Sequence, residues 1–161
     1  MHFTSFENSL VGPLFIAAEE GLVRRIAFSA RPDEGWIRDD DALAFARRAL
    51  EQYFAGHRPD LLKTIPYRYK GTPFQEAVWA ALTQIPYGAT LSYGELAGRL
   101  GQPGAARAVG MANHQNPLPI LIPCHRVIGA SGALVGFGGG LPLKRKLLEL
   151  EGGLPQLALP F

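Results

Sequence analysis

The sequence predicts an α+β protein: a small N-terminal α/β domain with a short antiparallel sheet, then a mostly helical C-terminal domain of winged helix-turn-helix type. Three observations predict it. Residues 1–69 alternate short extended runs with turn formers ahead of a single amphipathic helix. From Gly71 onward, helical segments opened by capping residues and closed by Pro or Gly take over. Two of those segments are joined by the tight glycine-bearing turn GQPG, the helix-turn-helix pattern. The boundary is placed at Lys70-Gly71, giving domains 1–69 and 70–161.

In the first domain, HFTSF, GPLFIAA and LVRRIAF read as strands separated by Gly12-Pro13 and Glu20-Gly21. DDDALAFARRALEQYFAG reads as a helix, its acids at the N-terminal end where the dipole favours them and Gly56 at the stop. Leu43, Ala46, Leu50, Tyr53 and Phe54 recur at helical spacing and form its core face. LKTIPYRY is expected to be extended. His2 and His57 have no acid or cysteine near them in the chain, and nothing in this half has the pattern of a catalytic or metal site.

In the second domain, Thr72 caps TPFQEAVWAALTQI, with Pro73 at the first helical position and Gln75 completing a capping box. SYGELAGRLG repeats that logic with Ser92 and Glu95 and stops at Gly101. AARAVGMANHQ follows and closes at Asn116-Pro117. Its Ala105, Ala106, Ala108, Gly110 and Ala112 leave a nearly bare surface with Arg107 in the first turn. Such a surface suits close backbone approach, either to a DNA groove or to another helix. PILIP is a buried apolar run, RVIGASGALVGF reads as a hairpin or wing turning at Ala130-Ser131-Gly132, and LPLKRKLLELEGG is a closing amphipathic helix. Gly138, Gly139 and Gly140 lack the spacing of a phosphate-binding loop and read as a lid whose backbone passes close to a ligand.

Composition narrows the class. An apolar content of 47% is that of a globular chain, and one cysteine excludes an internal disulfide, which suits a reducing compartment. With no basic-then-apolar leader and no apolar run long enough to cross a bilayer, the expectation is a soluble cytoplasmic protein without membrane association. The net charge of +2 is uneven. Residues 1–69 carry 9 basic and 10 acidic side chains, residues 70–161 carry 7 and 4. Between Gly88 and Lys146 the only acid is Glu95, against Arg99, Arg107, Arg126, Lys144, Arg145 and Lys146, an excess that suits a phosphate-bearing partner.

The single thiol, Cys124, stands in IPCHRV. A free cysteine packs, binds a metal or reacts. Metal binding lacks a second cysteine and any zinc spacing with His114 or His125. A reacting thiol needs a base and an orienting group. His125 is adjacent, but neighbouring side chains on an extended segment point apart, so contact requires a turn in the backbone or a bridging water.

PYGATLSYGELA, GAARAVGMANHQNPLPILIPCHRVIGASGAL and GFGGGLPLKRKLLELEG resemble the O6-alkylguanine-DNA alkyltransferases, also called methylated-DNA–protein-cysteine methyltransferases, nearly without gaps from Thr72 to Gly152. The first 70 residues resemble them in outline only. The resemblance implies direct-reversal repair: Cys124 takes the alkyl group from O6 of guanine in duplex DNA, once and irreversibly, without a cofactor. It implies that His125 reaches the thiol through a water, that Glu151 orients His125, and that Asn116 holds the turn around the site. Hydrogen bonds of this kind lower a thiol pKa. It further implies minor-groove binding through Ala106, Gly110 and an inserted Arg107, with Tyr93 pressing on the flanking phosphate and able to protonate the leaving guanine. The flipped base would be read near Val127, Pro119 and the lid at Phe137-Gly138. The protein would act as a monomer on double-stranded DNA. Some relatives carry zinc in the N-terminal domain; those cysteines are missing here, so no metal is expected. Lid positions held by tyrosine and by serine or alanine in some relatives are Phe137 and Gly138 here. The competing reading is a lesion-binding sensor that transfers nothing; the subfamily that does this has tryptophan where Cys124 stands. A cysteine hydrolase lacks its constellation in this chain.

Overall fold

The computed structural model describes residues 1–153, so residues 154–161 of the expected C-terminal domain lie outside the described residues. The chain divides into two compact units, one spanning Met1–Tyr69 and the other starting at Lys70.

In the first unit, strands β1 (His2–Asn8), β2 (Gly12–Glu19) and β3 (Leu22–Phe28) form an antiparallel meander, and a short β4 (Ile37–Arg38) pairs in parallel with β1. The sheet order is β3-β2-β1-β4. β2 is the central hydrophobic element: Leu14 through Ala18 are buried without a break, the pattern of a strand covered on both faces. Phe15 stacks between Phe3 and Trp36 with ring centroids 5.6 and 6.0 Å away.

Helix α1 runs from Ala44 to Phe54 and buries Ala46, Ala49, Leu50, Tyr53 and Phe54. It starts five residues after Asp39, where the expected helix began, because the acids are engaged outside it. Asp39 accepts from the Ala42 amide (3.0 Å), and Asp40 accepts from the Thr4 hydroxyl (2.6 Å) and from Arg38 (3.1 Å). None of the acids sits in the first helical turn, so the dipole argument does not apply to them. His2 pairs at the surface with Asp39 (2.9 Å), a partner 37 residues away that local spacing did not reveal.

The expected extended piece LKTIPYRY is also different. Pro59–Thr64 is a 3-10 turn, started by Pro59 and closed by the Thr64 hydroxyl donating to the Leu61 carbonyl. Only the following residues are extended, bridging Val23 through Val23–Pro66 (2.9 Å) and Arg68–Val23 (3.0 Å) main-chain bonds.

In the second unit, α2 (Pro73–Leu82) and α3 (Tyr93–Arg99) both start with complete capping boxes, Thr72 with Gln75 and Ser92 with Glu95. Gly71 cannot carry a side chain, since a Cβ there would lie 2.7 Å from the Trp79 ring. Gly101, at φ +73°, makes the turn into α4 (Ala106–His114). The Trp79 indole donates to the Ala112 carbonyl (2.9 Å) and ties α2 to α4.

The expected hairpin is only a tight turn, closed by Gly129 donating to the Ala133 carbonyl (2.8 Å). Its first arm, β6 (Val127–Ile128), instead pairs in parallel with β5 (Leu91–Ser92), and residues 133–140 have no strand. Helix α5 (Leu141–Glu151) ends with Gly152 in the left-handed conformation. Among the described residues, no helix is long and apolar enough to cross a membrane.

Candidate active site

Cys124 opens a one-turn 3-10 helix, Cys124–Arg126, between the PILIP run and β6. The backbone therefore turns at the cysteine rather than running extended, yet His125 Nδ1 makes no hydrogen bond to the thiol, so cooperation between them requires a bridging water. The loop before it is strained. Ile120 has φ +78°, a conformation that costs a β-branched residue roughly 1–3 kcal/mol.

Asn116 holds that loop in place. Its amide donates to the Ile122 carbonyl (2.7 Å), and its oxygen accepts from the Leu118 amide (2.9 Å). Pro119 is buried within the loop. Asn113 of α4 donates to the Cys124 carbonyl (3.3 Å), so the helix that follows the Gly101 turn is bonded directly to the cysteine's backbone.

Behind Cys124 lies a buried relay. The His125 Nε2–H donates to Glu151 Oε2 (2.7 Å), and both side chains are wholly buried. Arg126 donates through Nε to Glu151 Oε1 (2.7 Å) and through a second nitrogen to Oε2 (3.0 Å), with a third bond to the Ile85 carbonyl (2.7 Å). Burial alone would raise the Glu151 pKa, but the hydrogen bonds from His125 and Arg126 outweigh it and bring it to about 2. Burial holds His125 below its usual range despite Glu151, so the imidazole is neutral near pH 7. With Nε2 carrying the proton for Glu151, Nδ1 is the basic nitrogen; it is buried and has no protein hydrogen-bond partner.

Burial also pushes the Cys124 thiol up, against the Asn116 amide and the Lys144 charge that pull the other way. The hydrogen bond from Asn116 lowers the thiol pKa as expected, but desolvation of the buried sulfur outweighs it, so the resting thiol is protonated. A thiol in that state needs a proton acceptor to become a nucleophile, and neutral His125 Nδ1 is a group that can accept one.

In front of the site stand Tyr93, Gly110 and the lid. The Tyr93 hydroxyl donates to the Val135 carbonyl (3.1 Å), and burial raises its pKa, keeping it a neutral donor. A Cβ at Gly110 would lie 3.7 Å from the Tyr93 ring, so α4 passes the tyrosine within van der Waals reach. The Val127 carbonyl accepts from Lys144. Phe137 is half-buried, and Gly138 is exposed on the lid.

Arg107 is exposed on α4 beside Ala108 and Met111, while Ala106 and Gly110 are half-buried. The outer face of α4 is therefore less bare than the alanine pattern suggests, since Met111 is 63% exposed. The basic excess also needs correcting. Arg126 and Lys144 are buried, so only part of that charge faces solvent. Both, with Asn113, belong to the site, and the one sequence signal for them was their place in the Pro-Cys-His-Arg and closing-helix motifs.

Two family models match the chain: the 6-O-methylguanine DNA methyltransferase DNA-binding domain over residues 73–153, and the ribonuclease-like domain of the same family over residues 1–66. The chain belongs to the 6-O-methylguanine DNA methyltransferase family. It is 48% identical to the methylated-DNA–protein-cysteine methyltransferase of Mycobacterium leprae, across 89% of this chain and 88% of that one. It is 42% identical to the constitutive methylated-DNA–protein-cysteine methyltransferase of Bacillus subtilis, across 93% and 94%. A crystal structure of Mycobacterium tuberculosis OGT in complex with DNA superposes with a TM-score of 0.85 at 44% identity, covering 94% of this chain and 93% of that one. Cys124 and the buried cluster of His125, Glu151 and Arg126 all fall within the residues matched by the DNA-binding domain.

Proposed function

We propose that this protein repairs alkylated DNA by moving an alkyl group from O6 of guanine to the sulfur of Cys124, once per molecule. The observation that carries this reading is the buried relay behind the only thiol of the chain: a neutral imidazole whose free nitrogen can take a proton, held by a carboxylate that stays ionised. The lesion-binding subfamily that transfers nothing has tryptophan at this position, where this chain has Cys124.

The Cys124 S–H proton passes to His125 Nδ1 through a water, and the imidazolium that forms is stabilised by Glu151. The thiolate attacks the alkyl carbon. The new S–C bond forms as the C–O6 bond breaks, and its electron pair stays on the guanine, which is protonated by Tyr93. The His125 proton then restores the tyrosine through solvent, so charge balances over the step. The product is a thioether, off the reversible oxidation ladder, and the chain has no group to reset it.

The DNA is bound in the minor groove by α4, with Arg107 filling the space left in the stack. Extruding the nucleotide costs a few kcal/mol, less for a lesion that pairs badly. The base is received between Tyr93, Pro119, Val127 and the lid at Phe137-Gly138. The protein acts as a monomer. Cys124→Ser tests the assignment: transfer from a duplex carrying one O6-methylguanine should vanish while duplex affinity stays within about twofold. Residual stoichiometric transfer in that variant would place the acceptor elsewhere.

A further inference from the structure

Among the described residues, Lys144 is a buried titratable side chain near the site that neither the chemistry above nor the clamp on Glu151 uses. Its side chain is fully buried, and among the described residues it has no carboxylate partner. A buried ammonium is costly unless its protons are all spent on acceptors. Here they go to three carbonyls: Val127 at the start of β6, Val135 (2.8 Å) and, more weakly, Gly136 (3.4 Å). Val127 directly follows the Cys124–Arg126 turn, whereas Val135 and Gly136 lie in the strandless segment 133–140 that carries the lid, so a single nitrogen joins the reactive turn to the lid segment. The nitrogen also lies 5.8 Å from the centre of the Tyr93 ring. The Tyr93 hydroxyl and the Lys144 ammonium both donate to the Val135 carbonyl.

We propose that Lys144 is a positioning residue for the transfer reaction: its ammonium latches lid residues Val135-Gly136 to Val127, so that Tyr93 can release the Val135 carbonyl and turn to the DNA without the lid opening. The inference rests on the alkyl-transfer reading. It accounts for two donors on one carbonyl: Tyr93 is the bond that lets go, Lys144 the bond that stays. Burial brings the Lys144 pKa down only to about 8, and the thiolate formed at Cys124 raises it, so the latch is charged when it is needed.

The experiment compares wild type, Lys144→Met and the less disruptive Lys144→Gln on a duplex carrying one O6-methylguanine, at rising protein concentration. Half-saturation is separated from the limiting transfer rate. Amide hydrogen exchange across residues 133–140 is followed in the same proteins. Both variants should lose at least tenfold in limiting rate with half-saturation within about twofold. Lid amides should exchange at least tenfold faster while α2 amides stay unchanged. Adding Tyr93→Phe to Lys144→Gln should cost less than the product of the single losses. A limiting rate that falls only in step with the folded fraction, unchanged lid exchange, or fully multiplicative losses would each overturn the latch. If Lys144→Met does not fold, Lys144→Gln alone carries these readouts. If wild type itself transfers nothing, the alkyl-transfer reading fails, whereas the lid-exchange comparison still tests the latch.

Discussion

Replacing Glu151 by Gln keeps the side-chain volume and removes one charge from a site where Glu151 and His125 are wholly buried and the Arg126 side chain is 10% exposed. The glutamine can still accept at one oxygen. Its NH2 group, however, must face a donor of His125 or Arg126, and the guanidinium loses its counter-charge. Breaking a buried pair by removing one partner costs roughly 3–5 kcal/mol. For a chain of this size each kcal/mol lowers Tm by about 2–4 °C, so the variant should melt roughly 6–20 °C earlier. Urea unfolding read by Trp79 fluorescence in a Trp36→Phe background confines the signal to the unit that holds the site, because the chain's 2 tryptophans are divided between its two units. Arg126→Met should cost a similar amount, and the double variant should fall short of the sum by at least about 1.5 kcal/mol, since it leaves neither charge unpaired. A Glu151→Gln cost below about 1 kcal/mol, or strict additivity, would refute the claim that this pair is a buried, mutually dependent unit.

Further outcomes follow from the same geometry. With the Glu151 pKa lowered from 4.5 to about 2, its contribution to stability is complete above pH 4.5 and is lost as the pH falls toward 2. The stability gap between wild type and Glu151→Gln should therefore narrow by about 2 kcal/mol between pH 7 and pH 3, measured by urea unfolding at each pH; a constant gap contradicts the ionised-carboxylate assignment. Cys124 is 5% exposed among packed groups, so an added methyl overfills its surroundings at roughly 1–3 kcal/mol. The alkylated protein should melt earlier than the free one in calorimetry, and an equal or higher Tm counts against a tight site. Arg107→Ala should slow transfer from duplex DNA at least tenfold and from the free alkylated base by less than threefold; equal losses mean that Arg107 does not fill the stack.

Much of this was legible in the sequence where the determinants are local. Capping boxes at Thr72-Gln75 and Ser92-Glu95 depend on residues three apart, and both formed as the spacing predicts. The meander in the first unit follows from turn residues and short apolar runs. What escaped was set by distant partners. Asp39 and Asp40 are engaged outside α1 by His2 and Thr4, each more than 30 residues away, and β6 found β5 some 36 residues upstream rather than a hairpin arm a few residues downstream. The site divides the same way. Cys124, His125, Glu151 and Asn116 could be named because they stand in motifs whose resemblance to known proteins is strong. Arg126 and Lys144 counted toward a basic excess suited to a phosphate-bearing partner, and only burial reveals one as the clamp on Glu151 and the other as a donor to three carbonyls. The net direction of the thiol pKa was not legible for a related reason: hydrogen bonds can be inferred from neighbours in the chain, whereas desolvation depends on the whole enclosure.

The central claim is that Cys124 itself becomes the alkyl carrier, and intact mass after mixing the protein with a duplex containing one O6-methylguanine tests it most directly. The account predicts a gain of a single methyl, saturating at one per chain and mapping to Cys124 after proteolysis. An unmodified protein that still binds the duplex, or a methyl on any other residue, would contradict it.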